Sequence, residues 1–298
     1  MKCAPNITFL RYFFSAGQAK SISKAAKENF VSQSAISQAI HKLEINLGKQ
    51  LITHEKNRFQ LTADGLLLLD KCKQIFSVFS EIEDSFNEVE GVFKGRLSFA
   101  CTHSFALSLL PPYLERLSKM ASEVEPILRF GHTGTIIELV KKGDVDFGIV
   151  LDNEDFSAFN SYEIYSGKYQ LYRARKLPSQ AKNKFILSEE RKEVSLLKQY
   201  FYDHEIEIRT YMEVSSWEVI ASLTKQGLGI GFLPDYIIGK RSLIPYELSI
   251  PLIPYRILAI FPKNKKLPRN AKMFIDLMSD AKPNPSLSPT ETEVERSF

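Results

Sequence analysis

The sequence predicts a mixed architecture: an N-terminal winged helix-turn-helix, a long linker helix, and a larger C-terminal α/β domain. Three observations predict it. Residues 21–47 carry two successive helical patterns separated by a short break, residues 68–89 carry a heptad repeat, and strand-like and helix-like segments alternate after Gly91.

A chain of 298 residues suits two or three domains, each able to bury its own core. Hydrophobic and charged fractions of 44% and 25% are those of a soluble globular protein and imply no membrane class. The N-terminus lacks a long apolar run ending in a small-residue cleavage site, so the chain is expected to remain in the cytoplasm. Cys3, Cys72 and Cys101 have neither C-x-x-C nor metal-ligand spacing, which argues against disulfides and zinc. The five histidines do not cluster, and no dinucleotide, Walker or nucleophile-elbow motif is present, so no cofactor and no catalytic residue are expected. Charge is uneven. Residues 1–65 hold nine Lys and Arg against four acids, a net +5, whereas residues 66–90 are net −4, so the first segment is the polyanion-binding candidate.

The first helical pattern places Ile22, Ala25 and Ala26 on one face, with Ser21 or Ser23 available as a cap. After Val31 breaks the phase, Ser32 can cap a second helix, Gln33 to Leu47, that ends at Gly48. On it Ile36, Ala39, Ile40, Leu43 and Leu47 form an apolar stripe, and Ser34, Ser37, Gln38 and His41 lie opposite at helical spacing. In a helix-turn-helix the second helix enters the major groove, where Gln33, Ser34, Ser37, Gln38 and His41 would meet base edges of double-stranded DNA. Lys42, Lys49 and Lys56 would neutralise phosphates. The stretch LITHEKNRFQLT predicts two short strands around a polar turn at residues 55–57, a wing with Arg58 near its tip. An amphipathic helical pair with a merely solvated polar face fits the same pattern.

Residues 10–65, LRYFFSAGQAKSISKAAKENFVSQSAISQAIHKLEINLGKQLITHEKNRFQLTADG, resemble the DNA-binding domain of LysR-type transcription regulators without a gap. The resemblance is carried by Ser21, Ala25-Ala26, Ser32-Gln33-Ser34-Ala35, Ser37, Leu43-Glu44, Leu47-Gly48, Leu51, Leu61-Thr62 and Gly65. Gln38 stands where the family usually has Arg, Asn29 replaces a customary core Leu, and Ile52-Thr53-His54 replaces the usual Phe-Glu-Arg-like start of the wing.

Leu68, Ile75, Ile82 and Val89 recur every seven residues, with Cys72, Phe79 and Phe86 four after the first three. This a/d pattern predicts a helix that pairs with another helix, either on a second copy or on the chain's own domain. The resemblance implies a homodimer through this linker helix, and a tetramer once the C-terminal domains pair.

After Gly91, strands are predicted near 97–101, 127–131, 146–150, 208–214, 230–232 and 257–261, and helices near 107–118, 136–142, 192–201, 217–226 and 271–279. The segments GRLSFA, LLPPYLERL, GDVDFGIV and QGLGIGFLPDYI resemble the LysR effector domain over about residues 92–262. That resemblance implies a two-lobed periplasmic-binding-protein-like fold around a small-molecule effector. The division expected is 1–65 for DNA binding, 66–91 for the linker helix and 92–280 for the effector domain, its lobes being about 92–162 with 263–280 and 163–262. Residues 281–298, rich in Pro, Ser, Thr and Glu, are expected to be a disordered tail.

Ligands of open α/β sheets bind where strands give way to helices and free N–H groups meet an anion. Thr102, His103 and Ser104 follow the first predicted strand, Thr133 and Thr135 the second, and Ser215 precedes the helix that starts at Trp217. Helix capping fits each of these equally well. Phe147, Phe201 and Trp217 could wall the site, although such aromatics are more often core. Two rival readings are an enzyme on the two-lobed fold with an N-terminal appendage, and a solute-binding protein. Neither accounts for residues 21–65.

Overall fold

A computed structural model describes residues 5–55, 58–90, 92–189, 191–239, 242–263 and 265–280, which form two compact units divided between Gly91 and Val92. Cys3, Lys56, Asn57 and residues 281–298 lie outside the described residues.

The first unit comprises α1 (Ile7–Ala19), α2 (Ile22–Glu28), α3 (Gln33–Leu47), β1 (Ile52–Glu55), β2 (Arg58–Leu61) and α4 (Ala63–Glu90). Helix α1 is absent from the sequence-based expectation. Asn6 starts it by accepting from the Thr8 N–H at 2.8 Å, and Lys20 ends it in the left-handed region. Leu10, Phe13 and Ala16 of α1 are buried with Ala25, Ala26, Ile36, Ile40 and Leu43, so this helix supplies the floor on which α2 and α3 rest. The small side chains of Ala25 and Ala26 allow that close packing.

The hairpin pairs Ile52 with Leu61 through Glu55 with Arg58, antiparallel. It is tied to α3 by one carboxylate, because Glu44 Oε1 accepts from the N–H of Leu51 at 2.8 Å and of Ile52 at 3.2 Å. The Thr62 hydroxyl donates to Gln50 O at 2.6 Å and accepts from Gly65 N at 3.0 Å, starting α4. A Cβ at Gly65 would stand 2.0 Å from Leu51 O, so the helix can pass this close to the backbone only with glycine there.

The heptad seam divides along α4. Cys72 is fully buried, and Leu68 and Ile75 pack beside it on the unit's own core. Phe79 and Ile82 are exposed, and the side chains of Phe86 and Val89 lie outside the described residues. The first half of the seam therefore serves intramolecular packing, because α1 passes beneath it: Phe14 meets Phe76 with ring centroids 5.2 Å apart.

The second unit contains β3 (Lys94–Cys101), α5 (His103–Ser108), α6 (Leu110–Met120), β4 (Glu123–Phe130), α7 (Thr133–Lys141), β5 (Phe147–Leu151), β6 (Phe159–Ala174), β7 (Lys184–Leu187), α8 (Lys192–Asp203), β8 (Arg209–Glu213), α9 (Trp217–Lys225), β9 (Ile230–Pro234), β10 (Leu243–Pro245), β11 (Ile253–Pro262) and α10 (Arg269–Asp280). One sheet runs in the order β4-β3-β5-β11-β6-β9-β7-β8, with β10 added beside β6. Strands β4, β3 and β5 are parallel, as are β8, β7 and β9. Each trio is a βαβαβ element whose first strand lies in the middle. Between them β6 and β11 form an antiparallel ribbon, with a register shift at Ile257/Leu258.

Alternation along the strands divides the core. Leu97, Phe99, Phe147, Ile149, Ile257 and Ala259 face one layer, where the Phe99 ring stacks on Phe147 and tilts against Phe274 of α10, each at 5.3 Å. Ala100, Val150, Leu258 and Ile260 face the other, under α7. Sequence patterning missed β6, β7 and β10.

Replacing Glu44 by Ala should strip the Leu51 and Ile52 N–H groups of their acceptor and destabilise the first unit by about 2 kcal/mol. Hydrogen exchange resolved by peptide should show faster exchange in residues 7–90 and none of that change after residue 92. An unaltered exchange rate would mean that the hairpin holds without this carboxylate.

Candidate nucleic-acid interface and strand-end ligand site

The Ser21 hydroxyl starts α2 by accepting from Lys24 N at 3.3 Å. At its other end the Asn29 side chain folds back to donate to Ala25 O at 2.8 Å, so a polar residue occupies a usually apolar position without losing its hydrogen bond. The chain then turns through Phe30 at φ +54, and Ser32 opens α3 by accepting from Ala35 N at 3.2 Å. From this start Gln33, Ser34, Ser37, Gln38 and His41 are all exposed, while Ile36, Ala39, Ile40 and Leu43 are buried. Five hydrogen-bonding side chains thus share one solvent-facing side of a helix anchored by its other side.

The cations around this face differ in their surroundings. Lys42 reaches back over the Phe9 ring at 5.5 Å, and Lys49 pairs with Asp64 at 3.4 Å. His41 lies 3.8 Å from Glu44, the carboxylate that holds the hairpin. The Arg58 side chain lies outside the described residues. Lys24 and Lys27 on α2, which sequence reasoning did not single out, are exposed.

In the second unit, the turn after β3 places Thr102 as the cap of α5, accepting from Phe105 N at 3.4 Å and lying 3.0 Å from the Ser104 hydroxyl. Ser104 is buried, whereas His103 is exposed with its ring stacked on Phe130 at 4.5 Å. After β4, α7 begins at His132, whose side chain makes no capping bond. Thr133 is buried and its hydroxyl donates to Asn153 Oδ1 at 3.5 Å, and Thr135 is exposed. Ser215 is exposed as well, and its neighbour Ser216 caps α9, accepting from Val219 N and donating to Glu218 Oε2 at 2.6 Å.

The two halves of the sheet meet at the turn after β3. Ser104 lies beside the phenol of Tyr236, which follows β9 and packs edge-on to Trp217 with centroids 6.4 Å apart. The Arg191 guanidinium sits over the same indole at 5.3 Å, and Tyr169 approaches it edge-on at 6.0 Å. Burial pushes the Tyr236 and Tyr169 phenols upward, so both stay neutral donors. The arrangement unites Thr102, Ser104 and Trp217 with Tyr236 and Arg191, which sequence reasoning missed. Phe147 and Phe201 are placed elsewhere: the first stacks inside the core on Phe99, the second packs edge-on to Phe185 beneath α8.

Cys101 is fully buried next to this site, and desolvation pushes its thiol up to about 12, so it presents no thiolate at neutral pH. Among the described residues no group of His, Cys, Asp and Glu could hold a metal ion, and no helix is long and apolar enough to cross a membrane.

Residues 7–66 match the family model described as bacterial regulatory helix-turn-helix protein, lysR family, and residues 90–283 match that of the LysR substrate binding domain. The regulator CitR of Bacillus subtilis is 23% identical, the match covering 91% of this chain and 97% of CitR. The activator IlvY of Salmonella typhimurium is 23% identical over 77% of this chain and 82% of its own length. Among solved structures, a full-length OxyR variant from Pseudomonas aeruginosa superposes with a TM-score of 0.66 at 18% identity, covering 93% of this chain and 98% of that one. The chain belongs to the LysR family of bacterial helix-turn-helix regulatory proteins, and is a DNA-binding transcription regulator with an effector-binding second domain.

Proposed function

We propose that α3 reads the operator with Gln33, Ser34, Ser37, Gln38 and His41, that Lys42 and Arg58 contact phosphates, and that two copies act together through α4 in the cytoplasm. The observation that carries this reading is the exposed polar face of α3, held by a buried apolar one. Replacing Gln33 or Gln38 by Ala should weaken operator binding by ~1–3 kcal/mol where a bidentate base contact is lost, and random DNA much less. Fluorescence anisotropy on both duplexes measures the difference. Equal losses on the two would remove base reading from this face.

Pairing is assigned to the outer part of the linker helix, where Val78, Phe79 and Ile82 expose apolar surface. Burying an aspartate there without a partner is costly, so Ile82→Asp should convert dimers to monomers in sedimentation and lower DNA affinity through lost avidity. A dimer that survives the substitution at low micromolar concentration would move the interface elsewhere. Ile75 is a poorer probe, since it also packs on its own unit.

The ligand we infer is a small anionic metabolite bound at the turns after β3 and β4. Support comes from the hydroxyls of Thr102, Ser104 and Thr133 and the Arg191 guanidinium near Trp217. To change transcription, such a ligand must bind one arrangement of the two sheet halves better than another. Thr133→Val keeps the shape, deletes the hydroxyl and leaves the cap of α7 untouched. This variant should bind operator normally and lose its response to effector in a reporter assay. Wild-type sensitivity to effector would exclude Thr133 from the site.

A further inference from the structure

Phe30 breaks two local rules at once. Its ring is 96% exposed, so folding gains nothing from its apolar surface, and its backbone lies at φ +54, a conformation that favours Gly or Asn over a bulky side chain. The turn is nonetheless fixed, with Phe30 N donating to Lys27 O at 3.3 Å and Val31 N to Ala26 O at 3.0 Å. A residue whose backbone costs the folded state and whose ring returns nothing to it marks a position kept for contact with something else.

What it faces is set by its neighbours. Phe30 shares the lining of an open groove of about 570 Å³ with Lys27, Ser32 and Gln33, so the ring stands beside the first turn of α3 and next to an exposed cation. In the major groove the apolar group that a base pair presents is the thymine C5-methyl, and phenylalanine is suited to it. We propose that Phe30 packs on a thymine methyl at the edge of each operator half-site, adding apolar readout to the hydrogen bonds of α3. This rests on α3 lying in the major groove.

The test uses the full chain and a duplex that it selects from a random pool. Phe30→Asn relieves the backbone and removes the ring, so the thermal midpoint should hold or rise while affinity falls. Replacing the half-site thymines one at a time by deoxyuridine deletes single methyl groups. At one position the wild type should bind about three- to fivefold more weakly, the factor expected for one buried methyl-sized group, and Phe30→Asn should show no such loss there. Phe30→Leu should retain part of the thymine preference. The proposal is overturned by wild-type operator affinity in Phe30→Asn, by a lowered thermal midpoint that makes the ring structural, or by a uracil penalty of equal size in both proteins. Gln33→Ala on the same duplexes separates the two claims: lost discrimination there, with no methyl effect, leaves base reading standing and removes Phe30 from it.

Discussion

A backbone N–H taken from water must find an acceptor, and at five turns of the described residues a polar side chain provides one. Ser32 does so where α3 begins, Glu44 where the hairpin leaves that helix, Thr62 where α4 starts, and Thr102 and Ser216 where strand-end turns enter α5 and α9. Each of these elements starts at a defined residue rather than fraying, and each presents its exposed side chains from a defined first turn.

The second unit meets a different constraint. Two βαβαβ halves, each with its own parallel trio, would leave edges open at their inner sides. Strands β6 and β11 close both, pairing with β9 and β5 respectively and with each other. Ser104, after β3 of one half, and Tyr236, after β9 of the other, come together although they are far apart in sequence. Small residues complete the geometry: a Cβ at Gly148 would stand 2.4 Å from Ile136, so α7 lies directly on the sheet.

How much of this was legible follows from how local each signal is. The α2–α3 pair was readable because caps, helical period and the terminal glycine all lie within 28 residues. The heptad repeat was readable as a seam but not as a seam with two uses, since period alone does not distinguish α1 from a second subunit. Strand β6 went unseen because FNSYEIYSGKYQLYRA mixes serines, lysine and glycine into a strand buried irregularly along its length. Thr102, Ser104 and Trp217 were singled out from their positions after strands and before helices. Arg191 and Tyr236 were not, because their place beside Trp217 is created by sheet topology and has no local signature. Phe147 shows the converse: its position beside a strand end suited a binding wall, yet alternation turned its ring into the core, where it stacks on Phe99.

The burial of the thiols has a consequence for how the chain can be followed in solution. Cys72 lies in the first unit with its thiol pushed up to about 11, and Cys101 in the second, both sealed by packing. A thiol in that state reacts with an alkylating reagent only after the structure around it opens. Each unit therefore carries its own built-in clock, and the modification rates of the two cysteines, separated by peptide mass, measure how often each part of the native regulator breathes.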